Sequence, residues 1–242
     1  VSFRVAGFPD FVAVAAAANL AHLAAILEGL RGPTLQVPEP LALETRRRIL
    51  TLAALDPAAV SAETIATVVL DAVAAFSAGV SPPTALDGLE ALTLVTFPPP
   101  TPTTATPARA QETANAACLT ALVQQAAAAA LPGPLATIPL AAYEDLVAVR
   151  TRVVALCDRV EALATDAVFA ALAAVRAEAI AQLAVRGTTL QPLRPYVTAF
   201  PRPSLTLAQR LYQDPSRDQE LVARTGAVHP GFLPQTGLVA AA

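Results

Sequence analysis

The chain has 242 residues, 55% of them apolar and 14% charged, which is enough to bury a core and excludes disorder throughout. The apolar share is mostly Ala, with no Trp and only 5% aromatic residues. Cohesion must therefore come from close helix packing, and helices are favoured over sandwiches. The formal charge is −3, every basic residue is Arg, and residues 1–136 hold six Arg against ten acids while 137–242 hold ten against nine. Neither half offers the basic field that duplex binding needs.

In chain order, the first predicted element is a helix from Pro9 to Leu30, with Asp10 as its cap and Gly29 and Gly32-Pro33 at its end. Asn19, His22 and Glu28 interrupt its apolar run and Ala contributes little to insertion, so a buried helix is expected rather than a membrane span. No Arg-rich n-region with an apolar stretch and cleavage site indicates secretion. The chain carries no Met, even at position 1, which fits a non-AUG start, processing, or the rear part of a longer product. A second helix is predicted over Leu41 to Leu55 and a third over Ser61 to Phe76. Arg46, Arg47 and Arg48 occupy consecutive positions on the second, point about 100° apart, and read as a solvated or ion-paired face.

Residues 98–108 form a Pro-rich linker that cannot continue a helix. It separates a helical region, 1–97, from a long-helix region, 109–187. There an Ala-rich helix from Ala110 to Leu131 ends at Pro132-Gly133-Pro134. Leu146, Val149, Val153, Leu156, Val160 and Leu163 then follow steps of three and four, the mark of a seam packed on another helix. The register shifts at Thr165-Asp166, where either one helix kinks or two meet, and Val168, Leu172, Val175, Ile180 and Leu183 form a second series. Residues 188–203 read as an extended, Pro-containing linker. The last module, 204–242, reads as a helix from Leu205 to Tyr212, a turn at Asp214-Pro215, a helix from Arg217 to Arg224, and a loop through Gly226, Pro230, Gly231 and Gly237. The fold class is thus mainly α, an Ala-rich helical bundle with long helices and Pro-rich linkers, plus a small C-terminal module that is α+β by the likeness described below.

Catalytic signatures are missing. His22 and His229 are far apart, there is no nucleophile elbow, HExxH, Walker loop or GxGxxG, and the adjacent acids Glu144 and Asp145 face different directions on a helix. No enzymatic activity, cofactor or metal is expected. Cys118 and Cys157 lack metal-ligand spacing and read as two buried reduced thiols, a disulfide being a matter of geometry.

One stretch carries more specific information: Leu207-Ala-Gln-Arg-Leu-Tyr212-Gln-Asp214-Pro-Ser-Arg217-Asp-Gln-Glu220-Leu221-Val-Ala-Arg224, followed by Val228-His229-Pro230-Gly231-Phe232-Leu233-Pro234. It resembles the C-terminal end of the Mu-like phage "DNA circularisation" or N-protein family. The likeness extends upstream through Tyr143-Glu-Asp-Leu-Val-Ala-Val-Arg150-Thr-Arg152 and Leu190 to Tyr196, and so covers about residues 140 to 235. Residues 1–100 show no such likeness. The same tail looks like a degenerate LysM-type βααβ module, matched at Tyr212 and Gly231. It departs at Thr225, where related sequences carry Asn, and at Pro234-Gln-Thr-Gly237, over which the closing Pro-Gly step is spread.

The resemblance implies a virion structural protein at the baseplate or hub of a contractile tail, assembled in the host cytoplasm. Its partners would be other tail proteins (tube, hub, wedge) and copies of itself in a symmetric array, with nucleic acid and membrane not expected. Alternatives are a peptidoglycan-binding LysM-type module and a DNA-end-binding protein. The candidate interaction residues are Tyr212, Asp214, Arg217, Glu220, Arg224, His229, Pro230, Gly231 and Phe232. Among them Arg217, Glu220 and Arg224 are spaced as a helical ion-pair ladder, Phe232 is expected as a core plug under the turn, and His229 as a turn residue.

Overall fold

The computed structural model describes residues 10–29, 47–51, 61–98, 106–162 and 164–240. These residues are mainly helical, with one two-stranded antiparallel sheet. They divide into two compact units, Val1–Pro139 with Arg152–Gln182, and Leu140–Thr151 with Leu183–Ala242.

The first unit contains α1 (Asp10–Gly29), α2 (Ala62–Gly79), α3 (Pro82–Leu92), α4 (Pro107–Ala129) and α5 (Pro132–Thr137), together with the parts of α6 (Tyr143–Glu161) and α7 (Asp166–Gly187) inside its bounds. Three of its helices start from a hydroxyl cap: Ser61, Ser81 and Thr106 accept from the amides of Thr64, Thr84 and Arg109, each satisfying one of the first-turn donors. At α3 and α4 a Pro follows the cap, where its missing N–H removes no helical bond. Pro82-Pro83 therefore begins α3, an element the sequence reading did not anticipate.

Helix α4 packs against α1, α2 and α3. Its buried face is built from Ala116, Leu119, Val123, Ala126 and Ala127, and the alanines among them let backbones approach closely. α1 buries Val12, Ala16, Leu20, Leu23 and Leu27 along one stripe, the spacing expected of a helix with one packed face. α2 and α3 meet where Gly88 lies under the Phe76 ring; a Cβ at Gly88 would sit 2.3 Å from the ring carbon Cζ. Two buried polar groups of α4 are hydrogen-bonded, one locally and one across the fold: Glu112 accepts from Arg109 at 2.6 Å and Gln124 donates to the Val95 carbonyl at 3.0 Å.

The expected seam is largely present: Leu146, Val153, Leu156 and Val160 are buried, and Val149 is half-buried. Leu163 lies outside the described residues. Within the first unit, Arg152 bridges Asp87 and Glu90 of α3, Arg159 donates to Thr93, and Arg176 of α7 bridges Asp158 and Glu161. The register break at Thr165-Asp166 separates two helices, α6 and α7. Of the Arg triplet, Arg48 pairs with Asp71 and Arg46 lies outside the described residues, as does most of the helix expected over Leu41 to Leu55. The core of the linker expected at 98–108 lies outside them too.

The second unit adds β1 (Leu193–Val197), α8 (Ser204–Tyr212), a 3-10 turn (Pro215–Arg217), α9 (Asp218–Thr225) and β2 (Thr236–Ala240). Residues 188–203, expected as a linker, thus contain a strand, and it pairs antiparallel with β2 in the register Leu193 to Ala240 and Val197 to Thr236. Around this β–α–α–β run, Tyr196, Leu207, Ala208, Tyr212, Leu221, Leu233 and Val239 form a core.

Candidate functional site: the C-terminal module

Helix α8 turns Leu207, Ala208 and Tyr212 inward, and its end is set by Gln213 in the left-handed region at φ 58°. Asp214 then caps the 3-10 turn, accepting from both the amide and hydroxyl of Ser216. These bonds, the hydroxyl first, and then the Arg217 charge hold the Asp214 carboxyl below the usual carboxylate range. The turn brings the Arg217 guanidinium over the Tyr212 ring, 3.8 Å from its centroid, a favourable cation–π arrangement.

The three candidate charges on this helix form the expected ladder. Arg217 bonds Glu220 at 2.8 Å, and Arg224 bonds the other Glu220 oxygen at 3.1 Å. The ladder continues where sequence spacing gave no hint: Arg224 reaches Asp145 on α6 at 3.0 Å. Asp145 also accepts from the amides of Ala141 and Ala142, closing the start of α6 much as a third-position acid does in a capping box. Burial pushes its carboxyl up, but the Arg224 hydrogen bond, the Ala141 amide, the Arg224 charge and the Ala142 amide outweigh it, and the net shift is downward. Its neighbour Glu144 accepts from the Leu193 amide at 2.9 Å. The adjacent acids are thus separate clamps on α9 and β1.

His229, Pro230, Gly231 and Phe232 form a second cluster, on the loop before β2. His229 sits in a bend, as expected, and its Nδ1 accepts from the Gly231 amide at 2.9 Å. The Pro230 carbonyl accepts from the Ser204 amide at 2.7 Å and the Arg202 carbonyl from the Leu233 amide at 2.9 Å, tying this loop to the one before α8. Phe232 corrects the sequence expectation: it is 72% exposed, and Leu233 is the residue that plugs the core. The side chain after Pro230-Gly231 points outward because the backbone bond of Leu233 to Arg202 turns that neighbouring residue in. Phe200 and Val228 on the same two loops, and Leu205 in the first turn of α8, are also exposed, and Arg202 lies over the Phe200 ring at 5.0 Å.

Tyr212, by contrast, is buried and serves the core and the Arg217 stack. The candidate residues therefore fall into two sets, a bonded framework (Tyr212, Asp214, Arg217, Glu220, Arg224, with Glu144 and Asp145 added) and an exposed loop pair. Among the described residues no three His, Cys, Asp or Glu gather as metal ligands.

In the first unit His22 packs edge-to-face on Phe97. Both cysteines are free; Cys157 is buried, and Cys118 is only half-buried, on the wall of an apolar cleft of about 740 Å³ that Phe97, Ala121 and Val168 also line. No family model matches the chain, and no curated protein shows significant similarity to it.

Proposed function

We propose that this chain is a structural, non-enzymatic component of a phage-like tail, placed at the baseplate or hub and working through contacts with other tail proteins and with copies of itself. One observation carries this reading. The two separated stretches that resemble the Mu-like family, around Tyr143–Arg152 and Leu207–Arg224, meet at the Asp145–Arg224 ion pair. Contact between the two stretches is what one shared architecture would give. The β–α–α–β order of the last unit supports the LysM-like reading of its tail. Arg217 and Arg224 are neutralised by Glu220 and Asp145, which leaves them poorly suited to phosphate and weighs against a DNA-end-binding role.

The test is proteomics with cryo-electron microscopy of purified tail-bearing particles from the source organism. The expected result is this chain at a fixed, stoichiometric position at the tail end; its absence from intact particles overturns the reading.

A second reading, binding of cell-wall polymer, is favoured by the exposed Phe200 and Phe232 on two bonded loops, since flat apolar rings suit sugar faces. It predicts co-sedimentation of the full chain with purified peptidoglycan that is lost in Phe200→Ala and Phe232→Ala. Tyr212 is the wrong residue for that test, because its replacement opens the core.

A further inference from the structure

The two strands of the C-terminal sheet differ in how their outer edges are finished. The Thr198 amide donates to the Gln235 carbonyl at 2.7 Å. Since 198 and 235 continue the register, hydrogen-bonded pairs alternate from there, and Arg194 and Tyr196 direct their amides to β2. Leu193, Pro195 and Val197 therefore turn their outer side away from β2. Of these, the Leu193 amide is taken by Glu144 and Pro195 has no amide, so that among the described residues only the Val197 amide stays open on this edge. Proline and a side-chain cap are ordinary means of closing an edge.

On β2 the same alternation turns the backbone amides of Thr236, Leu238 and Ala240 outward. Among the described residues, the amides of Thr236 and Leu238 have no partner, and both residues are exposed. No proline or charge protects this edge: from Gly226 to the last residue the sequence contains no Asp, Glu or Arg. The outer face beside it is apolar as well, with Pro195, Val197 and Leu238 exposed, where an antiparallel sheet with one covered face ordinarily carries polar residues.

We propose that β2 is an assembly edge that pairs antiparallel with β2 of a second copy, about a twofold axis at Leu238. A twofold contact sets each residue against its own copy or its symmetry mate. A charged edge would oppose itself, and this neutral one does not. The register sets Leu238 opposite Leu238 of the second copy and Thr236 opposite Ala240. It joins the two sheets into four strands whose outer face is apolar except at Thr236. The proposal names the contact through which copies join, and it rests on the tail reading only in needing more than one copy.

The test uses the full chain. Sedimentation equilibrium is expected to give a concentration-dependent dimer, and Leu238→Lys, which sets like charges opposite each other, is expected to raise its dissociation constant at least about tenfold. The far-ultraviolet circular dichroism should be unchanged. Leu238→Cys is expected to form an intermolecular disulfide readily, because opposed Cα atoms in such a pair lie within disulfide reach, whereas Val228→Cys, fully exposed but off the edge, is not. An oligomer that Leu238→Lys leaves intact, with equal cross-linking at both positions, overturns the pairing but leaves the tail reading standing. A monomer at all concentrations overturns the pairing, and the tail reading is then decided by the particle experiment.

Discussion

At the scale of single residues, the contacts of this chain are tight in a few places and open elsewhere. A Cβ at Gly237 would lie 2.6 Å from the Tyr196 ring, which cannot move aside easily because it is buried and its hydroxyl donates to the Pro234 carbonyl. Gly237→Ala is therefore expected to cost about 1–3 kcal/mol, as overpacking commonly does, measurable as a lower midpoint in urea. Asp145 gives a pH-dependent counterpart. Its carboxyl is depressed in the folded chain, so its contribution is present above the unfolded value near 4 and is lost as pH falls through the folded one. The gap in melting temperature between wild type and Asp145→Asn should hold from neutral pH to about 5 and close below about 4; a gap that persists at pH 2.5 would assign it to packing. Burial first, and then the Glu161 carboxylate, push the Cys157 thiol up to about 11, with Asp158 adding to the rise and Arg176 opposing it. Iodoacetamide at pH 8 should accordingly label Cys118 well before Cys157, since the thiolate is the reactive form.

At the scale of elements, the helices were largely legible because their ends carry chemistry. Gly and Pro punctuation located α1, α4 and α8 to within a few residues, the hydroxyls of Ser61 and Thr64 located the start of α2, and the three-and-four spacing located α6. The α3 helix was missed because Pro82-Pro83 reads as a break unless Ser81 is recognised as its cap. Strands in the last module were expected only from the LysM likeness, and their positions were missed for a different reason. β1 contains a proline, β2 follows a loop rich in Pro and Gly, and their pairing spans some forty positions that no local pattern encodes. The ladder was legible up to Arg224, and its anchor was not, because Asp145 lies on another helix. Phe232 and Leu233 are adjacent apolar residues, and only the Arg202 bridge decides which one turns inward. Packing differences along an element can be tested directly. Leu156→Ala, at a fully buried seam position, should cost about 2–5 kcal/mol, whereas Val147→Ala on an exposed side of the same helix should stay within about 0.5 kcal/mol. Gly88→Ala should separate α3 from Phe76 and destabilise the first unit.

At the scale of the whole molecule, alanine does two jobs that composition alone confuses. Inside, as on α4, it permits close helix contact; outside, it covers faces that other proteins cover with charge. Among the described residues four stretches, Val12–Gly29, Ala62–Gly79, Pro107–Thr137 and Asp166–Gly187, are for this reason long and apolar enough to cross a membrane by length and composition. The tail reading expects none of them to insert, and predicts that the chain stays in the supernatant when sedimented with phospholipid vesicles. Recovery with the vesicles after a carbonate wash would replace the tail reading by a membrane one.

The closed edge of β1 has a further consequence, best put in the language of polymer growth. A sheet with two open edges is a bifunctional monomer and adds copies without limit, whereas Pro195 and the Glu144 cap leave β1 only the Val197 amide to pair with, so that growth through β2 terminates after a single addition. Removing both stops, with Pro195→Val and Glu144→Ala together, should turn a chain that halts at a pair into one that propagates as fibres, detectable by thioflavin fluorescence and electron microscopy.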